Sequence, residues 1–172
     1  STPLYSSAAS DVYKRQDVLP VERPAGLPTS VEALVGAVAA VLSVGAASLS
    51  YLGLGPLVAA LSVLATWRLL RGLGARSPAL ATWVGTAFLV LDGVEHGSFG
   101  NFSAGRSWQG KVVFLVVVVP TLWHHANAWG GTGCRRHLRA ASLGVLAGLG
   151  LSSTAVLVAP TVVVAASVAG AM

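Results

Sequence analysis

Long apolar runs, separated by short polar or glycine-rich connections, make up most of the chain after residue 28. A helix needs roughly 20 apolar residues to cross a hydrocarbon core of about 30 Å, at about 1.5 Å per residue. The runs that approach this length are residues 31–49, 57–70, 79–97, 112–129 and 140–158. The pattern therefore predicts an all-α fold, a polytopic transmembrane bundle with five spans.

Glycine and proline mark the expected interruptions of these runs. Residues 51–56 are rich in both and are typical of a turn between the first two spans. Pro120 is expected to kink the fourth span, because proline has no N–H to donate to the carbonyl of Val116. Pro160 is expected to end the fifth span. The apolar residues that follow it would form a half-helix or an incomplete sixth span.

The first 28 residues are expected to lie outside the helical domain. Residues 1–16 read STPLYSSAASDVYKRQ and resemble translated adapter sequence, so we expect this stretch to be non-native, the alternative being a genuine polar tail. Residues 17–28 form a proline-rich linker. Thr29 and Glu32 then fit a capping box, which predicts that the transmembrane helical domain covers residues 29–172.

Composition narrows the class of protein further. The chain has 172 residues, a mean hydropathy of +0.73 and 10% charged residues, whereas about 25% is usual for a soluble domain. These values exclude a disordered chain and a nucleic-acid-binding module. The single cysteine, Cys134, excludes an internal disulfide and a cysteine-based metal site.

The positive charges alternate between the connections. Those between spans two and three and between spans four and five carry most of them: Arg68, Arg71, Arg76, Arg135, Arg136, His137 and Arg139. The other two connections hold Arg106 and Lys111 alone. The positive-inside rule then predicts a multi-pass protein of the cell membrane with a cytoplasmic N-terminus. In this interpretation the lipid bilayer is a partner, and the arginines at 135–139 contact anionic headgroups.

Ionisable residues inside spans are candidates for function, because each costs about 2.5–3.5 kcal/mol on insertion scales. Asp92, Glu95 and His96 share one helical face of the third span. Their spacing suits a proton relay or a divalent metal site. In the alternative interpretation Glu95 and His96 meet water and headgroups at the end of the span, and Asp92 makes a structural hydrogen bond.

A second polar cluster lies on the fourth span. His124, His125 and Asn127 follow Pro120 and would line a cavity beside the kink, or would make interhelical hydrogen bonds. The expected depths of Asp92 and His124 differ by about 8 Å along the membrane normal, at about 1.5 Å per residue. Direct ligation of one metal by both is therefore not expected, although a water-bridged relay is.

Small residues on the fifth span indicate close helix packing. Gly144 and Gly148 belong to a small-xxx-small stripe, which would either join two copies of the chain or pack against another span of the same chain. No Gly-x-Ser-x-Gly, HExxH or Walker A motif occurs in the sequence.

The sequence thus favours a non-enzymatic bundle. We expect a transport or channel protein, or an accessory subunit of a larger membrane complex, with a polar intramembrane site. The alternative is a membrane metalloenzyme or haem-binding redox protein that uses His96, His124 or His125. The identity of any metal or cofactor stays open.

Overall fold

The computed structural model describes residues 31–93, 100–101, 106 and 109–172. The predicted tail, the linker and Thr29 lie outside these residues. The described part of the chain is helical and contains no strand, so the all-α prediction is confirmed.

Six helices follow one another in the described residues. They are α1 (Val31–Leu42), α2 (Ala46–Gly72), α3 (Pro78–Asp92), α4 (Gly110–Thr132), α5 (Arg135–Leu151) and α6 (Ala155–Ala171). Within the described ranges, α2 with 27 residues and α4 with 23 residues are the helices long and apolar enough to cross a membrane. The five spans therefore stay a prediction.

The expected turn at residues 51–56 is wrong. The chain turns earlier, after α1, where Ser43 adopts a φ of 54°. Residues 51–56 lie inside α2, whose segment Leu49–Leu54 is a π-helix that ends just before Pro56. A π-helical turn is wider than an α-helical one, so it makes room for a proline ring that would otherwise clash with the preceding turn.

The expected break at Pro160 is also wrong, because Pro160 lies inside α6. The chain turns instead between α5 and α6. There Ser152 is extended, with φ −156° and ψ 135°, and its hydroxyl is 2.8 Å from that of Thr154. Backbone hydrogen bonds close this turn, because the N–H groups of Ala155 and Val156 donate to the carbonyls of Ser152 and Ser153. The C-terminal segment is consequently a helix of 17 residues instead of a half-helix.

Helix α4 lies at the centre of the bundle. It packs against α2 on one side and against α5 and α6 on the other. The main apolar core comprises Phe114, Leu122, Ala141, Ala155 and Ala159. A Cβ atom on Gly144 would lie 2.7 Å from the Leu122 side chain, and one on Gly148 would lie 2.8 Å from the Phe114 side chain. The stripe of small residues on α5 therefore packs within the chain, against α4.

The backbones of α4 and α6 touch. A Cβ atom on Gly130 would meet the carbonyl of Ser167, and one on Gly170 would meet the carbonyl of Asn127. Small residues permit such close approach, which is how helices associate where hydrophobic burial gives no drive. This contact fixes α6 along the second half of α4.

Helix α1 begins at the end of the bundle where α4 begins. A Cβ atom on Gly110 would lie 3.1 Å from the Val31 side chain and 2.7 Å from the Leu151 carbonyl oxygen. The sequence predicts the other end for residue 31, together with the arginine-rich connections. The difference arises because α1 has only 12 residues. A helix of that length reaches about 18 Å, which is too short to cross a hydrocarbon core of about 30 Å.

Candidate functional site

A two-residue connection folds α5 back along α4. Gly133 has a φ of 65°, a left-handed conformation that favours glycine. Its N–H donates to the carbonyl of Trp129 at 2.7 Å. Cys134 is extended, and α5 begins at the next residue. The reversal places His137, in the first turn of α5, beside His125 of α4.

Three imidazole rings meet at this point. The Nδ1 atoms of His125 and His137 are 3.0 Å apart, within hydrogen-bond distance. The centroid of the His124 ring is 5.0 Å from that of His125 and 6.4 Å from that of His137. Since one Nδ1 must donate and the other must accept, the hydrogen bond requires that at most one of its two rings is doubly protonated.

The end of α2 closes the cluster from a third side. A Cβ atom on Gly72 would lie only 2.6 Å from Nδ1 of His124, so the absence of a side chain at residue 72 lets this ring approach α2. Residues from α2, α4 and α5 therefore surround one point.

A cavity of about 330 Å³ opens between these helices. Its lining consists of Ala65, Arg68, Thr121, His124, His125, Arg136 and His137. The Thr121 hydroxyl donates to the carbonyl of Val117 at 2.7 Å. Within the described part of the chain, this lining holds two guanidinium groups and three imidazoles but no carboxylate, so donors outnumber acceptors. Guanidinium groups bind carboxylate and phosphate oxygens through paired hydrogen bonds.

Electrostatics favour an anion in this cavity, which we name the histidine pocket. Arg136 and His137 lie in the first turn of α5, a helix of 17 residues. The N-terminus of a helix carries partial positive charge, so further positive charge there is destabilising and a bound anion is stabilising. Arg68 adds positive charge from α2.

Asp92 serves a different purpose at the far end of α3. Its Oδ2 accepts a hydrogen bond from the N–H of Gly100 at 2.7 Å. The side-chain amide of Asn101 donates to the carbonyl of Gly93 at 3.0 Å. A Cβ atom on Gly100 would meet the carbonyl of Leu89, so the two backbones are in contact. Asp92 thus fastens the chain across the end of α3, while Glu95 and His96 lie outside the described residues.

The structure does not bring Asp92 to the histidines. Asp92 is the last residue of α3, which begins at Pro78, and fourteen residues of helix correspond to about 21 Å. His124 contacts Gly72, close to where α3 begins. The two predicted polar clusters therefore lie near opposite ends of α3.

Pro120 and Asn127 do not line the histidine pocket with His124 and His125. The π-helical segment Phe114–Val118 ends two residues before Pro120, which indicates how the predicted irregularity of α4 is accommodated. The side-chain amide of Asn127 lies 3.5 Å from the carbonyl of Ala166 on α6. Asn127 therefore contacts α6, whereas His124 and His125 face α2 and α5.

Sequence reasoning missed three residues of the histidine pocket. Arg68, Arg136 and His137 were all expected in the basic connections that set the orientation, and Arg136 was also expected to contact headgroups, but they line the pocket with His124 and His125. The signal that could have found them is Gly131-Thr132-Gly133, which is typical of a tight reversal. Such a reversal aligns the residues after 134 with the end of α4.

No family model, curated protein or solved structure matches the chain. The site alone must therefore carry the argument for function. Across the described residues, no group of three or more His, Cys, Asp or Glu side chains is arranged to hold a metal ion. His125 and His137 form a pair, and the pocket lining also includes the guanidinium groups of Arg68 and Arg136.

Proposed function

We propose that the chain is a multi-pass membrane bundle that binds an anion in the histidine pocket. The observation that carries this proposal is the lining of the pocket, in which Arg68, Arg136 and three histidines meet, with no carboxylate among the residues that the structure describes there. A role in transport or as an accessory subunit of a membrane complex is consistent with such a site. The pocket lies between helices at one end of the bundle, where a solute or a partner would enter.

The exposure of apolar side chains supports membrane insertion. The most apolar windows of α2 and α4 are only 11% and 22% buried, whereas a core helix of a soluble protein is mostly buried. Large side chains cover the outside of the bundle, among them Leu34, Val41, Trp83, Phe88, Leu91 and Leu157. Soluble monomers rarely expose contiguous apolar surface on this scale.

The arginines indicate the orientation. Arg68 and Arg71 lie in the last turns of α2, and Arg135, Arg136 and Arg139 lie in the first turns of α5, at the same end. The positive-inside rule places this end, with the histidine pocket, in the cytoplasm. The guanidinium of Arg71 also lies 5.4 Å from the ring centroid of Trp67, a cation–π contact, and tryptophan is enriched at membrane interfaces.

The chain contains its own probe of orientation. Cys134 is the single cysteine and is exposed between α4 and α5. A membrane-impermeant maleimide should label it in inverted vesicles and leave it unlabelled in intact cells. The matched probe is Val44→Cys in a Cys134→Ser background, because Val44 is exposed in the connection after α1. We expect the opposite labelling there. Labelling of Cys134 in intact cells would place the pocket outside, and recovery of dispersed chain without detergent would exclude a membrane protein.

Anion binding has an equally direct test. Inorganic phosphate is titrated into the protein, purified in a neutral detergent, and binding is followed by calorimetry. Arg68→Gln and Arg136→Gln should each weaken binding by about tenfold or more, because hydrogen bonds to charged groups contribute about 1.5–3 kcal/mol. Arg76→Gln and Arg139→Gln are the controls, since neither residue lines the pocket. Equal losses of phosphate affinity in both pairs of variants would show that the general surface charge, and not the pocket, attracts the anion.

The histidine pair supports a second candidate, a membrane metalloenzyme, because two Nδ1 atoms 3.0 Å apart could both bind one metal ion. Stoichiometric metal that is lost in His125→Ala would favour this candidate over the anion site. Metal content is therefore measured on the same preparation.

A further inference from the structure

A second cavity of about 460 Å³ lies between α2, α3 and α4 and shares no lining residue with the histidine pocket. In the described part of the chain, α2 packs against both α3 and α4, whereas α3 and α4 make no comparable contact with each other. The cavity, which we name the lateral cavity, therefore occupies the space that keeps α3 and α4 apart. Cavities of roughly 300–1,000 Å³ are the size of small-molecule sites in proteins.

Most of the walls of the lateral cavity are apolar, and they include Val58, Val63, Leu89 and Leu115. Phe88 of α3 also lines the cavity and is 65% exposed. A Cβ atom on Gly85 would have no heavy atom within 4 Å, so space remains where α3 passes the cavity. The cavity is therefore open towards the side of the bundle. In a membrane this opening faces hydrocarbon, and an apolar group enters without crossing water.

Two threonine hydroxyls in the lining are available to a ligand. Helical threonines of this chain commonly donate to the carbonyl four residues earlier, at 2.6–2.7 Å, as do Thr82, Thr121, Thr132 and Thr161. Among the described residues, the hydroxyls of Thr66 and Thr86 make no such bond, and both residues line the lateral cavity. Thr66 belongs to α2 and Thr86 to α3, so two different walls each contribute a hydroxyl.

The third wall contributes a backbone acceptor. Pro120 of α4 lines the lateral cavity and has no N–H to donate to the carbonyl of Val116. Val116 belongs to the same lining, and its carbonyl lacks the donor that a regular α-helix supplies. Backbone groups that proline releases in a membrane helix are satisfied by other groups nearby. A donor on a ligand in the cavity meets this requirement.

These three polar groups lie at similar levels of the bundle. His124 contacts Gly72, which defines a common level on α2 and α4. Thr66 precedes Gly72 by six residues and Val116 precedes His124 by eight, so they lie about 9 Å and 12 Å from that level. Thr86 lies eight residues into α3, which begins a short connection after α2, so its distance is also about 12 Å.

The opposite end of the lateral cavity is apolar. Its lining extends on α2 to Val58, about 21 Å from the level of Gly72, and on α3 to Val90, about 18 Å from the start of that helix. Ser62 lies between the two ends, but its hydroxyl already donates to the carbonyl of Ala59 at 2.8 Å. The cavity thus has polar groups at the end nearer the arginines and hydrocarbon walls for about 12 Å beyond them.

We propose that the lateral cavity binds an uncharged lipid-like molecule with one hydroxyl group, held between Thr66, Thr86 and Val116, and with its hydrocarbon chain directed towards Val58. A hydroxyl both donates and accepts, so it serves the Val116 carbonyl and a threonine hydroxyl together. The described lining contains no ionisable residue, and a charged group without a partner is costly in apolar surroundings. The site is separate from the histidine pocket and does not depend on the anion proposed there.

The test measures equilibrium binding of radiolabelled decanol to the full chain in a neutral detergent. Gly85→Leu and Ala59→Leu fill the cavity from α3 and α2. Each should weaken decanol binding by about tenfold, because every methylene that is displaced contributes about a factor of four. Thr66→Val and Thr86→Val keep the shape of the side chain and remove the hydroxyl. Each should weaken binding by about fivefold, the effect of one neutral hydrogen bond.

Matched controls exclude effects of the substitution type. Gly150→Leu and Ala147→Leu make the same changes on α5, and Thr161→Val makes the same change on α6, at exposed residues that line neither cavity. All three should leave the affinity for decanol at the wild-type value. Because all variants face the same detergent, partitioning of decanol into micelles cancels from the comparison. Arg136→Gln should also leave decanol binding unchanged, since Arg136 lines only the histidine pocket.

Three results would overturn the proposal. Unchanged decanol affinity in Gly85→Leu and Ala59→Leu would exclude the lateral cavity as the site. If these two variants weaken binding while Thr66→Val and Thr86→Val do not, the cavity takes a hydrocarbon chain alone, and a hydroxyl-bearing ligand is excluded. Decanoate, which carries a carboxylate on a chain of the same length, should bind at least about tenfold more weakly than decanol at neutral pH. Equal affinities would exclude an uncharged ligand.

Discussion

The two polar ends of the bundle use their side chains differently. Around Asp92 the polar groups bind backbone: the carboxylate accepts the Gly100 N–H, and the Asn101 side chain donates to the Gly93 carbonyl. In the histidine pocket, side chains from three helices converge on a cavity. The first arrangement completes a helix end, and the second leaves donors directed at a space that a ligand can occupy.

This contrast shows why an ionisable residue in an apolar chain is not by itself a functional site. Asp92 and His124 both satisfy the rule that a costly polar group in a span has a purpose. Asp92 satisfies this rule because its carboxylate accepts the hydrogen bond of the Gly100 N–H, in place of a backbone carbonyl. His124 contacts other side chains around a cavity, and only this second arrangement offers chemistry to a ligand.

The largest expected effect comes from Gly100→Ala. Its Cβ atom would meet the backbone of Leu89 and lie 2.6 Å from the backbone nitrogen of Gly93. We expect a loss of about 3 kcal/mol or more in the free energy of unfolding, as for severe overpacking. Thermal unfolding in detergent measures it. Gly150→Ala is the control, because a Cβ atom there has open space; similar stability of the two variants would contradict the described contact.

Asp92→Ala should lower the free energy of unfolding by about 2 kcal/mol, because the Gly100 N–H loses its charged acceptor. Asp92→Asn retains an oxygen at the same position and should cost less than about 1 kcal/mol. Anion binding at the histidine pocket should stay at the wild-type level in both. A loss of binding in Asp92→Asn would show that the two ends are coupled, contrary to their separation.

His137→Ala should lower anion binding more than stability, which is the opposite of the effect expected for Asp92→Ala. It removes the partner of His125 and one wall of the histidine pocket, so phosphate binding should fall by about tenfold, the effect of one lost hydrogen bond to a charged group. The free energy of unfolding should change by only about 1 kcal/mol. Calorimetry and thermal unfolding on one preparation separate the two quantities. A large decrease in the free energy of unfolding with unchanged phosphate affinity would assign His137 a structural role.

The smallest effect is expected for Asn127→Ala. Its hydrogen bond to the Ala166 carbonyl is long, at 3.5 Å, and interhelical hydrogen bonds in membranes contribute about 0.6 kcal/mol on average. Binding should be unaffected, because Asn127 faces α6. A tenfold loss of phosphate affinity would place Asn127 in the histidine pocket with His124 and His125. It would contradict the assignment of Asn127 to the contact with α6.

The helices themselves were predictable, because a sustained apolar run leaves few alternatives. Residues 112–129 predict most of α4, and residue 79 is one position from the start of α3. The positions at which the helices end were not predictable. Pro56 and Pro160 were interpreted as local ends of helices, but a π-helical segment precedes Pro56 within α2 and α6 continues through Pro160.

Half of the histidine pocket was also predictable. His124 and His125 stood out because they lie inside an apolar run. His137 and Arg136 did not, because basic residues after a span are usually explained by headgroups. Their role depends on a reversal of two residues, which joins side chains twelve positions apart. Proximity of this kind is a property of the tertiary structure and leaves no periodic pattern in the sequence.

The π-helical segment of α4 accommodates one additional residue without rotating the part of the helix that follows. A π turn holds one residue more than an α turn for about the same total rotation, whereas each residue of a regular helix turns it by about 100°. Deleting one residue from Phe114–Val118 would thus restore α-helical winding and leave the downstream half of α4 facing as before. Deleting one residue from the regular winding between Val119 and His124 would instead turn both histidines by about 100°, away from Gly72 and His137.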